Sequence, residues 1–259
     1  MDAEAKAPLR LIVLGDSLAF TDERGPQLPA EPTLYPNVIA RAIEDALLRP
    51  VTVTVLARAG SDVRDAWKLV FKDRHVQFEV LTRADAVVVA VGSFDHAPAG
   101  VPPALEALVP FLHPARLRRG ARTVLRAAHP WGVRLTAGRF TRTPWPEFAR
   151  LYDAILHQVR ALADGAAGVV LAPTSHRSDY YADVHPQRAE RERGQIEIAT
   201  GHGYPVVRAW PIVEPNAEGL NPDGIHWPAQ VHTAIGRALG EQLVAQLRDE
   251  APRPRAPWT

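Results

Sequence analysis

The sequence predicts an α/β fold, a three-layer α/β/α sandwich built on a five-stranded parallel sheet. Two interleaved patterns and the chain length carry this expectation. Apolar runs rich in Val, Ile and Leu recur at Leu9–Leu14, Val51–Ala57, Ala86–Val91, Val169–Ala172 and Val206–Ala209, each too short for a helix and each followed by turn chemistry. Between them lie longer stretches of helical periodicity, and strand then helix, repeated, means parallel strands with helices on both faces. The 259 residues, 46% hydrophobic and 23% charged, suffice for one domain with a well-buried core.

In chain order, Leu9–Leu14 is the first strand and Tyr35–Leu48 the first helix. Val51–Ala57 with Val63–Phe71 makes the second pair, and Ala86–Val91 with Pro103–Leu112 the third. Glu147–Leu162 is helical, Val169–Ala172 is the fourth strand, Arg188–Gly201 a helix, Val206–Ala209 the fifth strand and Pro228–Leu247 the last helix. One stretch breaks the rhythm. From His113 to Pro146 there is no strand pattern, but five Arg fall between Arg116 and Arg126, followed by His129-Pro130-Trp131. It reads as an insertion near 113–146, either a lid or a solvated excursion. The domain is expected to span 1–251, and 252–259, with three prolines, to form a flexible tail.

Thirty basic residues against 29 acidic give a net charge of +1, so no sequence-wide basic field points to nucleic acid, an anionic membrane or another polyanion as a partner. Of the basic residues 27 are Arg, a bias that most economically reflects a GC-rich genome and so carries little functional weight. The absence of Cys removes disulfides, thiolate metal sites and cysteine nucleophiles together. Met1–Pro8 lacks a signal-peptide pattern and no apolar run reaches the ~20 residues of a membrane span, so a cytoplasmic location is expected.

In such sheets ligands collect at the carboxyl ends of the strands. The first strand runs into Gly15-Asp16-Ser17-Leu18, where glycine permits a sharp turn and Ser17 presents a hydroxyl and its own N–H. Taken alone, Asp16 and Ser17 read more readily as a helix cap. What changes the weighting is Asp223-Gly224-Ile225-His226-Trp227 near the other end of the chain. A serine nucleophile needs a general base, and the base needs an acceptor that fixes its tautomer; His226 and Asp223, three apart on one turn, suit both roles.

With these residues in place the sequence resembles the SGNH (GDSL) hydrolase superfamily, whose sheet is flavodoxin-like. Gly15-Asp16-Ser17-Leu18 matches its first block, Gly60 within Arg58-Ala59-Gly60-Ser61-Asp62 its second, Gly92-Ser93-Phe94-Asp95 its third and Asp223-Gly224-Ile225-His226 its last. The resemblance implies Ser17 as nucleophile, His226 as base, Asp223 as its orienting acid, and the Ser17 and Gly60 N–H groups as oxyanion donors. The third block departs from the family's Gly-x-Asn-Asp, because Phe94 stands where the family has the oxyanion-hole Asn. The Ser93 hydroxyl and the Phe94 or Asp95 backbone N–H are then the candidates that complete the hole, and losing one donor costs ~10²–10³ in rate.

Further motifs, among them Tyr35-Pro36-Asn37, Arg64-Asp65-Ala66-Trp67, Leu117-Arg118-Arg119 and His129-Pro130, are similar to the diglucosylglycerate octanoyltransferase group. That likeness implies acyl transfer, octanoyl in the group itself, from a thioester donor such as acyl-CoA to a hydroxyl of a sugar or glucosylglycerate-like acceptor. No resident cofactor and no metal are implied. Two other readings stand beside it: an O-acyl esterase or thioesterase, and a carbohydrate-binding pseudoenzyme.

The expected partners are thus small molecules, an acyl donor and a sugar or polyol. His176, Tyr180 and Tyr181, after the fourth strand, suit a sugar platform. Asp16, His96 and Trp227 are further candidate substrate contacts, and Arg58 or the Arg116–Arg126 cluster could meet phosphates or a carboxylate. Asp95 is expected to brace neighbouring loops, and Trp67, Trp131 and Trp145 to wall an acyl channel or fill core.

Overall fold

Strand β1 (Leu9–Leu14) sends alternate side chains to opposite sides, and this organises the computed structural model, which describes residues 7–102, 105, 108–174, 178–216 and 224–249. Leu9, Leu11 and Val13 enter one apolar layer, and Ile12 and Leu14 the other. A short antiparallel ribbon, β2 (Thr21–Asp22) and β3 (Gly25–Pro26), follows β1. The main sheet adds β4 (Val51–Leu56), β5 (Ala86–Val89), β6 (Ala167–Ala172) and β7 (Val206–Arg208), in the order β4-β1-β5-β6-β7. Every pairing in it is parallel. The chain steps from β1 outward to β4 and then crosses to β5 on the far side. The topological switch point therefore lies between β1 and β5, where a crevice opens at their carboxyl ends.

Helices α1 (Tyr35–Leu47) and, at the end of the chain, Ala229–Asp249 cover one face through Ile39, Ile43, Ile235 and Leu239. Helix α2 (Val63–Lys72) covers the other, together with Trp145–Leu162 and Arg188–Gly201, through Val70, Phe148, Ile155 and Ala199. All five expected strands and the helices just named lie within a few residues of their sequence positions. The helix expected over Pro103–Leu112 falls partly outside the described residues; its end is a 3₁₀ turn, Val109–Phe111.

Between 113 and 146, where the sequence shows an insertion without a strand pattern, the chain forms a long helix, α3 (Ala115–Leu135), that was not among the expected elements. Pro130 sits inside it, and Leu117, Val124, Trp131 and Leu135 point to solvent. Gly120, Pro130 and Gly132 punctuate the stretch with poor helix formers, which masks its periodicity in the sequence. Helices α4 (Trp145–Leu162), α5 (Arg188–Gly201), α6 (Trp210–Val213) and α7 (Ala229–Asp249) complete the numbering. After α3 the chain returns along the loop that follows β5: the Ala99 N–H donates to Phe140 O (2.8 Å), Arg142 N–H to Ala97 O (3.1 Å) and Thr143 N–H to Asp95 O (3.0 Å). Among the described residues no helix is long and apolar enough to cross a membrane.

Candidate active site

Beyond β1, the Gly15 N–H still donates to Leu56 O (3.1 Å), so the ladder holds the chain until it turns. Asp16 then caps the 3₁₀ turn Ser17–Ala19, its carboxylate accepting the Leu18 N–H at 2.9 Å. The cap holds Ser17 at the carboxyl edge of the sheet beside the switch point. From the far end of the chain His226 reaches the same place: its Nε2 lies 3.2 Å from Ser17 Oγ. A hydroxyl within hydrogen-bond reach of an imidazole is the arrangement that activates a nucleophile.

Trp227 delivers that histidine. Its backbone bridges to Asp22, and its fully buried indole packs near Tyr35 (centroids 6.0 Å) and His232 (5.3 Å). The expectation that Trp227 contacts substrate is therefore corrected, because a side chain with no exposed surface anchors the loop instead. His232, beneath it, accepts the Tyr35 N–H at Nδ1 and donates from Nε2 to Thr21 O (3.2 Å), and burial pushes its pKa down to about 4. Asp223, the expected orienting acid, lies outside the described residues, as does His176.

The Gly60 loop links β4 to α2. Gly60 has φ +70°, a left-handed conformation that glycine adopts without strain, and its nearest neighbour on the Cβ side is the Phe94 ring, 3.9 Å away. Phe94 thus flanks Gly60, the expected oxyanion donor, and the Arg142 guanidinium lies over the ring, 4.1 Å from its centroid. Arg142 was not singled out by sequence reasoning, and no local motif marks it. Ser93, the other expected oxyanion group, accepts the Thr174 N–H at 3.2 Å and so ties the β5 loop to the β6 loop.

Asp95 braces the site from below, as expected. It is fully buried, its carboxylate accepts the Val63 N–H at 3.0 Å and the Thr143 hydroxyl at 2.6 Å, and burial raises its pKa to about 7. Burial also raises Asp16, to about 6, although the field of His226 and the Leu18 N–H oppose the shift.

Several expected substrate contacts are placed elsewhere. His96 is buried in the layer beneath α4 and α5, donating from Nε2 to Gln195 Oε1 (3.2 Å) with its ring against Phe148 (4.4 Å). Gln195, overlooked in the sequence, also donates to Val91 O (2.7 Å) and so fixes the root of the third block. Tyr181 is buried, and Tyr180 is half-buried and stacked flat on His129 (4.1 Å, 2°). Asp16 acts as a cap. Arg58 turns outward to pair with Asp65 (2.8 Å). Trp67 stacks on Phe71, Trp145 packs against Phe148, and Trp131 faces solvent.

No protein-family model matches the chain. A diglucosylglycerate octanoyltransferase of Mycolicibacterium hassiacum is 31% identical over 241 residues, which cover 90% of this chain and 94% of that protein. The chain belongs to the diglucosylglycerate octanoyltransferase family. A second relative of that name, from Mycobacterium tuberculosis, is 30% identical over 240 residues, 90% of this chain and 91% of the relative. The octanoyltransferase fold seen here is shared with SGNH hydrolases. A lipase/acylhydrolase of Enterococcus faecalis superposes with a TM-score of 0.61 at 14% identity, over 94% of this chain and all of the other. An acetyl-xylooligosaccharide esterase of Geobacillus does so with a TM-score of 0.56 at 15% identity, over 97% of this chain and 100% of the esterase. This member of the octanoyltransferase family is accordingly an SGNH-type acyltransferase or esterase.

Proposed function

We propose that the protein transfers an acyl group, octanoyl or close to it, from a thioester to a hydroxyl of a glucosylglycerate-like sugar through an acyl-serine. The observation that carries this reading is the 3.2 Å approach of Ser17 Oγ and His226 Nε2 at the switch point of the sheet.

His226 Nε2 takes the Ser17 proton as Oγ attacks the thioester carbonyl, and the Ser17 and Gly60 N–H groups, flanked by Phe94, receive the oxyanion. Collapse breaks the C–S bond, the thiol leaves with the proton from His226, and acyl-Ser17 remains. The acceptor hydroxyl then gives its proton to His226 as its oxygen attacks the ester carbonyl. Collapse returns that proton to Ser17 Oγ and releases the acylated sugar. Asp223 is the group that orients His226 in this scheme.

Water competes with the sugar in the second half-reaction. The Phe94 ring, capped by Arg142, makes this side of the site apolar and charged rather than open to a loosely held water, and Arg142 is suited to a glycerate carboxylate. Both features, and the names of the relatives, favour transfer over hydrolysis.

Intact-mass measurement after incubation with octanoyl-CoA is expected to reveal an octanoyl adduct that Ser17→Ala abolishes. Addition of glucosylglycerate should then discharge it onto sugar. Discharge as free octanoate at an unchanged rate would make the protein an esterase, and an adduct that persists in Ser17→Ala would remove the proposed nucleophile.

A further inference from the structure

Helix α3 presents an unburied amphipathic surface. Leu117, Val124, Trp131 and Leu135 are spaced by seven, seven and four residues, which at 3.6 residues per turn places them within about 40° of one another. Phe111 precedes the helix and Phe140 follows it, and all six side chains are 56–75% exposed. Arg116 and Arg134 run along one border of the stripe and Arg118 lies beyond the other. Between Glu106 and Glu147 the sequence holds eight Arg and no acidic residue.

The C-terminal half of α3 is held firmly. His129, Gly132 and Val133 are buried, and His129 Nδ1 donates to Tyr180 O at 2.9 Å. The helix backbone crosses the loop after β5 so closely that a Cβ on Gly132 would lie 2.0 Å from Gly100 O. The C-terminal half of the stripe is therefore fixed beside the loops that follow β5 and β6.

From this pairing of apolar stripe and one-signed charge we propose that α3 docks the protein on an anionic lipid surface. Apolar residues at the interface with arginines reaching headgroups are the pattern of a helix lying in the plane of a membrane. Charge decides against the commonest alternative. A second copy seated face to face would set arginine against arginine with no acid in the segment to pair them. The proposal is independent of the acyl-transfer reading.

Flotation of the full chain with vesicles tests it. The protein should float with phosphatidylglycerol/phosphatidylcholine vesicles and not with phosphatidylcholine alone, and added salt should release it. Arg116→Gln/Arg118→Gln/Arg134→Gln should lower the partition coefficient by about fivefold per arginine. Leu117→Asn/Val124→Asn should lower it as well, while leaving hydrolysis of a soluble activated ester unchanged. Trp131 emission should shift to the blue on anionic vesicles, a change lost in Trp131→Phe.

Failure to float, equal flotation on both vesicles, or partition untouched by either set of substitutions would overturn the proposal. So would an equilibrium dimer in sedimentation that Leu117→Asn/Val124→Asn dissociates, since the stripe would then be covered by a second copy.

Discussion

The Asp95 carboxylate receives the Val63 N–H at 3.0 Å, and this bond joins the loop after β5 to the first turn of α2 across the Gly60 loop. The same carboxylate takes the Thr143 hydroxyl at 2.6 Å, so three segments meet on one buried group. Gly60, three residues before Val63, thus lies on a loop that this bond anchors. Asp95→Ala is expected to slow acylation of Ser17 by about tenfold, with KM for a small activated ester little changed, because removing a buried acceptor strands the Val63 N–H and frees the loop. Stopped-flow acylation checks this. An unchanged acylation rate in a folded variant would show that the brace does not reach the oxyanion donors.

Asp95 also sets a pH dependence of stability. Its folded pKa of about 7 stands above the ordinary carboxylate value of 3.8, so the native state binds more protons than the unfolded chain between those limits. Its contribution is fully present below about pH 4 and is lost as pH rises toward 7. Asp95→Asn keeps an acceptor for Val63 and removes the buried charge, so it should gain stability relative to the parent at pH 8, by up to ~4 kcal/mol, and gain none at pH 4. Denaturant melts at the two values measure it. His232, lowered to about 4, acts in the opposite sense and cancels out when parent and variant are compared at one pH.

Phe94 is the substitution that separates this site from the wider superfamily pattern. Phe94→Asn restores a side-chain donor beside Gly60 and removes the seat of Arg142. Hydrolysis of an activated ester should rise by about tenfold or more, and the ratio of sugar acylation to hydrolysis should fall. Product analysis on one substrate mixture reads both. A rise in both rates with the ratio preserved would exclude Phe94 from the choice of second nucleophile.

Gly132 and Gly100 are in backbone contact, which no rotamer change relieves. A Cβ at Gly132 would also lie 3.0 Å from Gly100 Cα, so Gly132→Ala must separate α3 from the β5 loop. A cost of about 1–3 kcal/mol and faster proteolysis between 115 and 135 are expected. Gly120→Ala, which meets nothing within 4 Å, should instead stabilise the helix slightly. Equal effects of the two substitutions would refute the close crossing.

The strands were legible because buried parallel strands demand unbroken Val, Ile and Leu, and runs such as Ala86–Val89 have little else. Ser17 was legible through the turn chemistry around it, and His226 through its spacing from Asp223. The substrate contacts fared worse for one reason: His96, Tyr181 and Trp227 are amphipathic, and their types are equally at home packed in a core or exposed in a pocket. Only their neighbours decide which, and those neighbours, Gln195, His129 and Tyr35, are distant in sequence.

What the chain's own order determined is therefore the alternation of strands and helices, and with it the sheet edge at which Ser17 stands. Local hydrophobic periodicity and turn stereochemistry act over a few residues and can be read directly. What only the tertiary structure decided is the meeting of residues 209 positions apart at Ser17 and His226, the stacking of Arg142 on Phe94, and the exposure of the α3 stripe. Each depends on how separate segments pack, and packing is a property of the assembled layers rather than of any one segment.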